Sequence, residues 1–184
     1  MKYKSLAPLN KHKNLTGGFT LIELLVAIFI MVILLLVSIP QFQHFGKKAQ
    51  TQGTANELKS LIEKTRTYAM APREQDTNIL YYSIEINKNG KWTIQGTKIA
   101  NQSIEIEKGA IDSRTEIEGL FYNNNDEIST GSVVLGFETP TGRAIQGLNG
   151  NKSKLDIVIK YKNSNIVAKV LINLITSQVE ITEV

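Results

Sequence analysis

The chain is expected to be α+β: a long amino-terminal helix that crosses a membrane and continues as an amphipathic rod, packed against an antiparallel β-sheet head. Three observations predict this. Residues 24–39 carry no charge, residues 55–69 place apolar side chains at steps of three and four, and from residue 79 the apolar period shortens to two.

The membrane helix comes first. Residues 19–39 number 21, and at ~1.5 Å per residue they reach about 31 Å, close to the hydrocarbon thickness of a bilayer. A secretory signal would have a shorter apolar core, ~7–15 residues, with a small-x-small cleavage site behind it. Ser38-Ile39-Pro40-Gln41 offers no such site. A buried core helix is the third reading, but a segment apolar on every face over this length exceeds what a small domain can cover. The anchor reading is therefore adopted. Lys2, Lys4, Lys11 and Lys13 precede the span and only Lys47 and Lys48 closely follow it. The positive-inside bias thus keeps the leader cytoplasmic and puts the head across the membrane.

Residues 43–71 read as the helix continuing into water. Ala55, Leu58, Ile62, Thr65 and Ala69 form a stripe with Leu61 and Tyr68 beside it, and Lys59, Glu63, Lys64 and Arg66 take the remaining faces. Pro40 removes the backbone donor that would reach the Leu36 carbonyl and is expected to bend the helix near the membrane surface. Ala71-Pro72 ends it, because the residue before a proline is pushed out of the helical region.

Strands follow at residues 79–87, with Tyr82, Ile84 and Ile86 on one face, and at 91–96, joined by the turn Asn87-Lys88-Asn89-Gly90. Further strands are read at 103–107, 115–122, 132–138, 154–161, 166–175 and 178–181, with a polar loop at 123–127 and a turn at Thr139-Pro140-Thr141-Gly142. The expected division is leader 1–18, transmembrane helix 19–39, amphipathic continuation 40–72 and β-rich head 73–184. A head of that size can bury a core without metal or disulfide, and the chain contains no cysteine.

Composition narrows the function. The 184 residues include 21 basic and 17 acidic ones, and residues 1–18 hold four of the basic and none of the acidic, so the remainder is balanced at 17 of each. The alkaline character sits in the leader and gives no support for nucleic-acid binding. The two histidines, His12 and His44, lie in the leader and beside the membrane surface, so the head has no histidine for a metal or acid–base site. Serines in the head lack a partner base, and no phosphate loop or zinc spacing occurs. Asp112 and Glu116 read as a solvated face. Asp126 and Glu127 could offer oxygens to calcium, but the 123–127 loop lacks the spacing of an EF-hand and reads as a polar turn. No enzyme, cofactor or metal is expected.

The segment Gly18-Phe19-Thr20-Leu21-Ile22-Glu23, set between a basic leader and an apolar run, resembles the processing site of type IV pilins and of the pseudopilins of type II secretion systems. With its helical continuation the resemblance covers roughly residues 1–72. It implies cleavage between Gly18 and Phe19 by a prepilin peptidase, N-methylation of Phe19, and a role for Glu23 in pairing with the terminal amine of a neighbouring subunit. Pro40 matches the proline that bends the helix in many members. The implied partners are the prepilin peptidase/methyltransferase, other pilin or pseudopilin subunits and an inner-membrane assembly platform, with the head on the periplasmic side and the chain then entering a filament.

The head resembles H-type minor pseudopilins and related minor pilins in Val134-Leu135-Gly136-Phe137, in Pro140-Thr141-Gly142-Arg143-Ala144 and in the two alternating strands that follow. It departs from them at the last hairpin, where Thr176-Ser177-Gln178 stands in place of the usual glycine turn. Because some relatives bind DNA at the head's tip, the resemblance also implies an alternative, a tip minor pilin that captures DNA or a secreted substrate, with Arg143, Lys152, Lys154, Lys160 and Lys162 as the DNA site. The lysines alternate as a solvent face would, and nucleic acid is not the expected partner.

Overall fold

The computed structural model describes residues 18–72, 78–99, 101–123, 126–145 and 152–183. One helix, α1, spans Leu21–Met70, and it is followed by β1 (Ile79–Asn87), β2 (Lys91–Lys98), β3 (Ser103–Ala110), β4 (Thr115–Tyr122), β5 (Asp126–Glu127), β6 (Ser132–Glu138), β7 (Lys154–Tyr161), β8 (Val167–Asn173) and β9 (Gln178–Glu183). The chain divides into two compact units, one ending at Phe42 and one beginning at Gln43. The α+β architecture is the one the sequence predicts.

In the first unit every large apolar side chain from Phe19 to Ile39 is at least 46% exposed. The segment reaches a mean hydropathy of 3.1, and none of it is buried among the described residues. Such a surface requires an external apolar environment. α1 continues through Pro40 without a break.

In the second unit Thr51, Thr54, Ala55, Leu58, Leu61, Ile62, Thr65 and Ala69 are buried. The helical stripe expected from the sequence is thus the face that α1 turns to the strands. The strands form two sheets, not one. The first has the order β3-β2-β1-β6 and the second β5-β4-β7-β8-β9, and all pairings are antiparallel. Ile84, Ile94 and Leu135 of the first sheet join Leu155, Ile157, Ile159 and Val170 of the second in one apolar cluster with the helix. Alternation assigns each strand an inner face, but it does not say which strands pair.

The switch between sheets falls at residues 111–114. The Arg114 side chain donates to both Asp112 oxygens at 3.1 and 2.9 Å, and Gln50 of α1 also donates to Asp112. Asp112 is therefore a half-buried anchor, not a member of a solvated face. Three strands run longer than the sequence suggested, β2 to Lys98, β3 to Ala110 and β9 to Glu183, and β8 is shorter, Val167–Asn173. Gly96 lies inside β2 because Ile79 Cδ1 packs 2.8 Å from where its Cβ would stand.

The far end of α1 is tied by its polar residues. Lys64 bonds Glu107 at 2.5 Å, and Arg66 donates to the carbonyls of Gly142 and Ser177, both at 3.2 Å. Side chains placed on the outer faces by periodicity thus clamp the head. Ser177 explains the missing glycine of the last hairpin. It takes φ 58 itself, and its buried hydroxyl accepts from the Ala144 N–H at 2.9 Å. A left-handed residue costs about 1–2 kcal/mol, and the buried hydrogen bond offsets much of it. Ser177→Ala, which keeps the strain and loses the bond, is expected to destabilise the protein by ~1–2 kcal/mol. Ser177→Gly, which loses both, should lie nearer to neutral, as read by urea denaturation.

Candidate functional site

The site is built at the start of α1. Gly18 is exposed, and a Cβ placed on it would meet nothing within 4 Å. Neither packing nor backbone geometry requires a glycine there. Phe19 follows, 82% exposed. Thr20 then caps the helix: its hydroxyl accepts from the Glu23 N–H at 3.3 Å, while the Glu23 carboxylate accepts from the Thr20 N–H and hydroxyl, both at 3.5 Å. This is a reciprocal capping box, with a carboxylate at the positive end of a helix dipole. Glu23 is thus not an uncompensated acid in the single chain, as its isolation in an apolar run would suggest. Its two accepted bonds are long, however, at the limit of useful hydrogen bonding. The Thr-x-x-Glu spacing is the signal that identifies Thr20 as a partner in the site.

The other candidate residues are dispersed. Lys152 bonds Asp126 at 2.6 Å and Lys160 bonds Glu118 at 2.9 Å. Lys154 and Lys160 stand at opposite ends of β7, some ~20 Å apart along a strand, with Lys162 in the turn beyond. Arg143 is exposed in the loop beyond β6, a strand of the other sheet. In the 123–127 loop Glu127 bonds Lys88 at 2.7 Å, Asp126 takes Lys152, and Asn124 and Asn125 lie outside the described residues. No group of three or more potential metal-binding side chains occurs among the described residues. His12 and the leader before Gly18 also lie outside them, and His44 is exposed on α1.

Two acids of the head are perturbed. The Arg114 side chain holds Asp112 down at about 2. Asp156 lies on the face of β7 opposite the core residues Leu155 and Ile157, in register with Phe121 and Leu171, and is 8% exposed. Its Oδ1 has no partner among the described residues, and burial raises its pKa against the pull of Lys169 and Lys154. A raised folded-state value means that the stability present below the ordinary carboxyl range is lost as pH rises through that value. Asp156→Asn is therefore expected to stabilise the protein by ~1 kcal/mol near neutral pH, with the gain vanishing in acid, as read from thermal melts at several pH values.

Comparison with known proteins gives a match to the prokaryotic N-terminal methylation motif over residues 13–39. No curated protein and no solved structure matches the chain. The matched segment contains Gly18, Phe19, Thr20 and Glu23 and runs to the last residue before Pro40. Joined to a long apolar helix and an antiparallel β head, the motif supports a type IV pilin-like subunit.

Proposed function

We propose that the chain is a minor pseudopilin or minor pilin, a structural subunit that is cut between Gly18 and Phe19, methylated on Phe19 and assembled into a type II secretion pseudopilus or a type IV pilus-like filament. In this reading residues 1–18 are the leader, 19–39 the inner-membrane anchor, 40–72 the continuation of the rod with a bend at Pro40, and 73–184 the periplasmic head. The resemblance of residues 134–144 to H-type minor pseudopilins supports the minor rank.

The observation that carries the proposal is the Thr20–Glu23 cap at the head of an uncovered apolar helix. Before processing, the Glu23 carboxylate accepts from the Thr20 N–H and hydroxyl, which lowers the cost of an acid in hydrocarbon, ~2.5–3.5 kcal/mol at mid-span. Cleavage creates a primary amine one residue before Thr20. Charge-assisted bonds are shorter and roughly twice as strong as neutral ones, so the amine of a neighbouring subunit displaces the long contacts to Thr20. That exchange sets the stagger between subunits, and residues 24–39 supply the apolar packing around the filament axis.

Mass spectrometry of the mature amino terminus tests this directly. N-methyl-phenylalanine at position 19 is the expected result, and a working form that retains Met1 would overturn the proposal.

A further inference from the structure

The outer face of the second sheet carries a pocket of about 280 Å³ whose wall includes Lys154 and Asp156 of β7, Leu171 and Asn173 of β8, and Gln178 and Glu180 of β9. Pairing register brings these residues together. Lys154, Asn173 and Gln178 stand opposite one another across the strands, and Asp156, Leu171 and Glu180 form the next row on the same face. The first row presents donors. Asn173 Oδ1 already accepts from the Ile175 and Thr176 N–H groups at 2.9 and 3.1 Å, and Gln178 Oε1 accepts from the Thr176 hydroxyl at 3.3 Å. Their amide NH2 groups, with the Lys154 ammonium, are what remains to bind. The second row presents a carboxylate on either side of Leu171.

Asp156 is the unusual member. It is 8% exposed although it faces away from the core, and its Oδ1 has no hydrogen-bond partner among the described residues. Lys154 and Lys169 act on it through space, but neither bonds that oxygen. A buried acceptor without a donor destabilises the fold, and a ligand that donates to it removes the defect. Glu180 is exposed and, like Lys154, enters no ion pair among the described residues. These charges sort the ligands. A simple anion that suits Lys154 would face both acids, and a simple cation that suits the acids would face Lys154. A molecule carrying both charges meets neither objection. The rows lie two residues apart along each strand, about 7 Å. With a charge-assisted bond of ~2.8 Å at each end, an ammonium and a carboxylate borne on one carbon bridge that gap. The volume falls just under the ~300 Å³ at which small-molecule pockets begin, which fits a single amino acid and not a longer peptide.

We propose that this pocket binds a zwitterionic α-amino acid, its carboxylate on Lys154, Asn173 and Gln178, its ammonium on Asp156 and Glu180, and its side chain against Leu171. The site lies wholly within the second unit and does not depend on the anchor or on processing at Gly18.

The test uses the full chain in detergent micelles, titrated with the common L-amino acids one at a time and followed by saturation-transfer NMR. At least one should bind with a Kd in the millimolar range or below. The carboxamide and the des-amino acid of that ligand, each lacking one charge, should bind more weakly by roughly tenfold or more, the worth of a hydrogen bond to a charged group. Asp156→Asn, which should make the fold more stable, is expected to weaken binding by about tenfold, and Lys154→Gln by a similar factor. Glu118→Gln, whose partner Lys160 stands at the far end of β7, should leave binding unchanged. Failure of every amino acid to bind the wild-type chain would overturn the site without recourse to any variant. A carboxamide that binds as tightly as its parent would also overturn it, by leaving a plain cation site. So would full binding by Asp156→Asn, which would remove the buried acid from the contact.

Discussion

Glu23→Val is expected to give a subunit that is cut normally, stays in the membrane and does not enter a filament. The head folds on a core of residues from position 55 onward and owes nothing to Glu23, so its melting temperature should not move. What is lost, on the proposed pairing, is the acid that meets a neighbour's terminal amine. Removing one member of a paired charge in a low-dielectric site costs about 3–5 kcal/mol, a factor of a hundred or more in incorporation. Valine also deletes the cap on Thr20, so Glu23→Gln is the decisive companion: glutamine serves in a capping box but carries no charge. If charge drives assembly, both variants remain in the membrane fraction when sheared filaments are blotted. A Gln variant that assembles like the wild type would transfer the role to the cap and refute the ammonium pairing.

Gly18→Glu should produce the second large effect, accumulation of the uncut precursor on immunoblot, with Gly18→Ala a milder version. The surroundings of Gly18 make this a clean experiment, since the open space around it lets either side chain be added without disturbing the fold. Any loss of processing then reports on the peptidase, which must bring the peptide bond close to its own catalytic groups. Thermal melts of the two variants should coincide with that of the wild type. Normal cleavage of Gly18→Glu would sink the assignment of the cut to the bond before Phe19.

How much of this was legible in the residues depended on the range of the interaction. The stripe from Ala55 to Ala69 was legible because helical periodicity and burial are the same fact seen twice. The strand cores were legible for a similar reason, down to the bounds of β1, β4, β6 and β7. The division into two sheets was not, since an alternating strand fits an edge or a centre equally well. Nor was the fate of Lys64, Arg66 and Asp112, whose partners Glu107, Ser177 and Gln50 lie 43, 111 and 62 residues away.

At the candidate site the signal is local: Gly18, Phe19 and Glu23 stand within six adjacent residues, and the Thr20 cap follows from a four-residue spacing. The last hairpin falls between the two cases. Its left-handed residue had to exist, but that serine fills the position follows only from the nearness of Ala144.

The second sheet has a consequence for export. Four of its strands lie beyond residue 125, and the final hairpin holds Arg66 through the Ser177 carbonyl. On the proposed topology, the rod has no complete surface to settle on while the polypeptide crosses the bilayer until β9 has emerged. A product truncated before β9 would therefore expose bare aliphatic flank and be an immediate target for proteases.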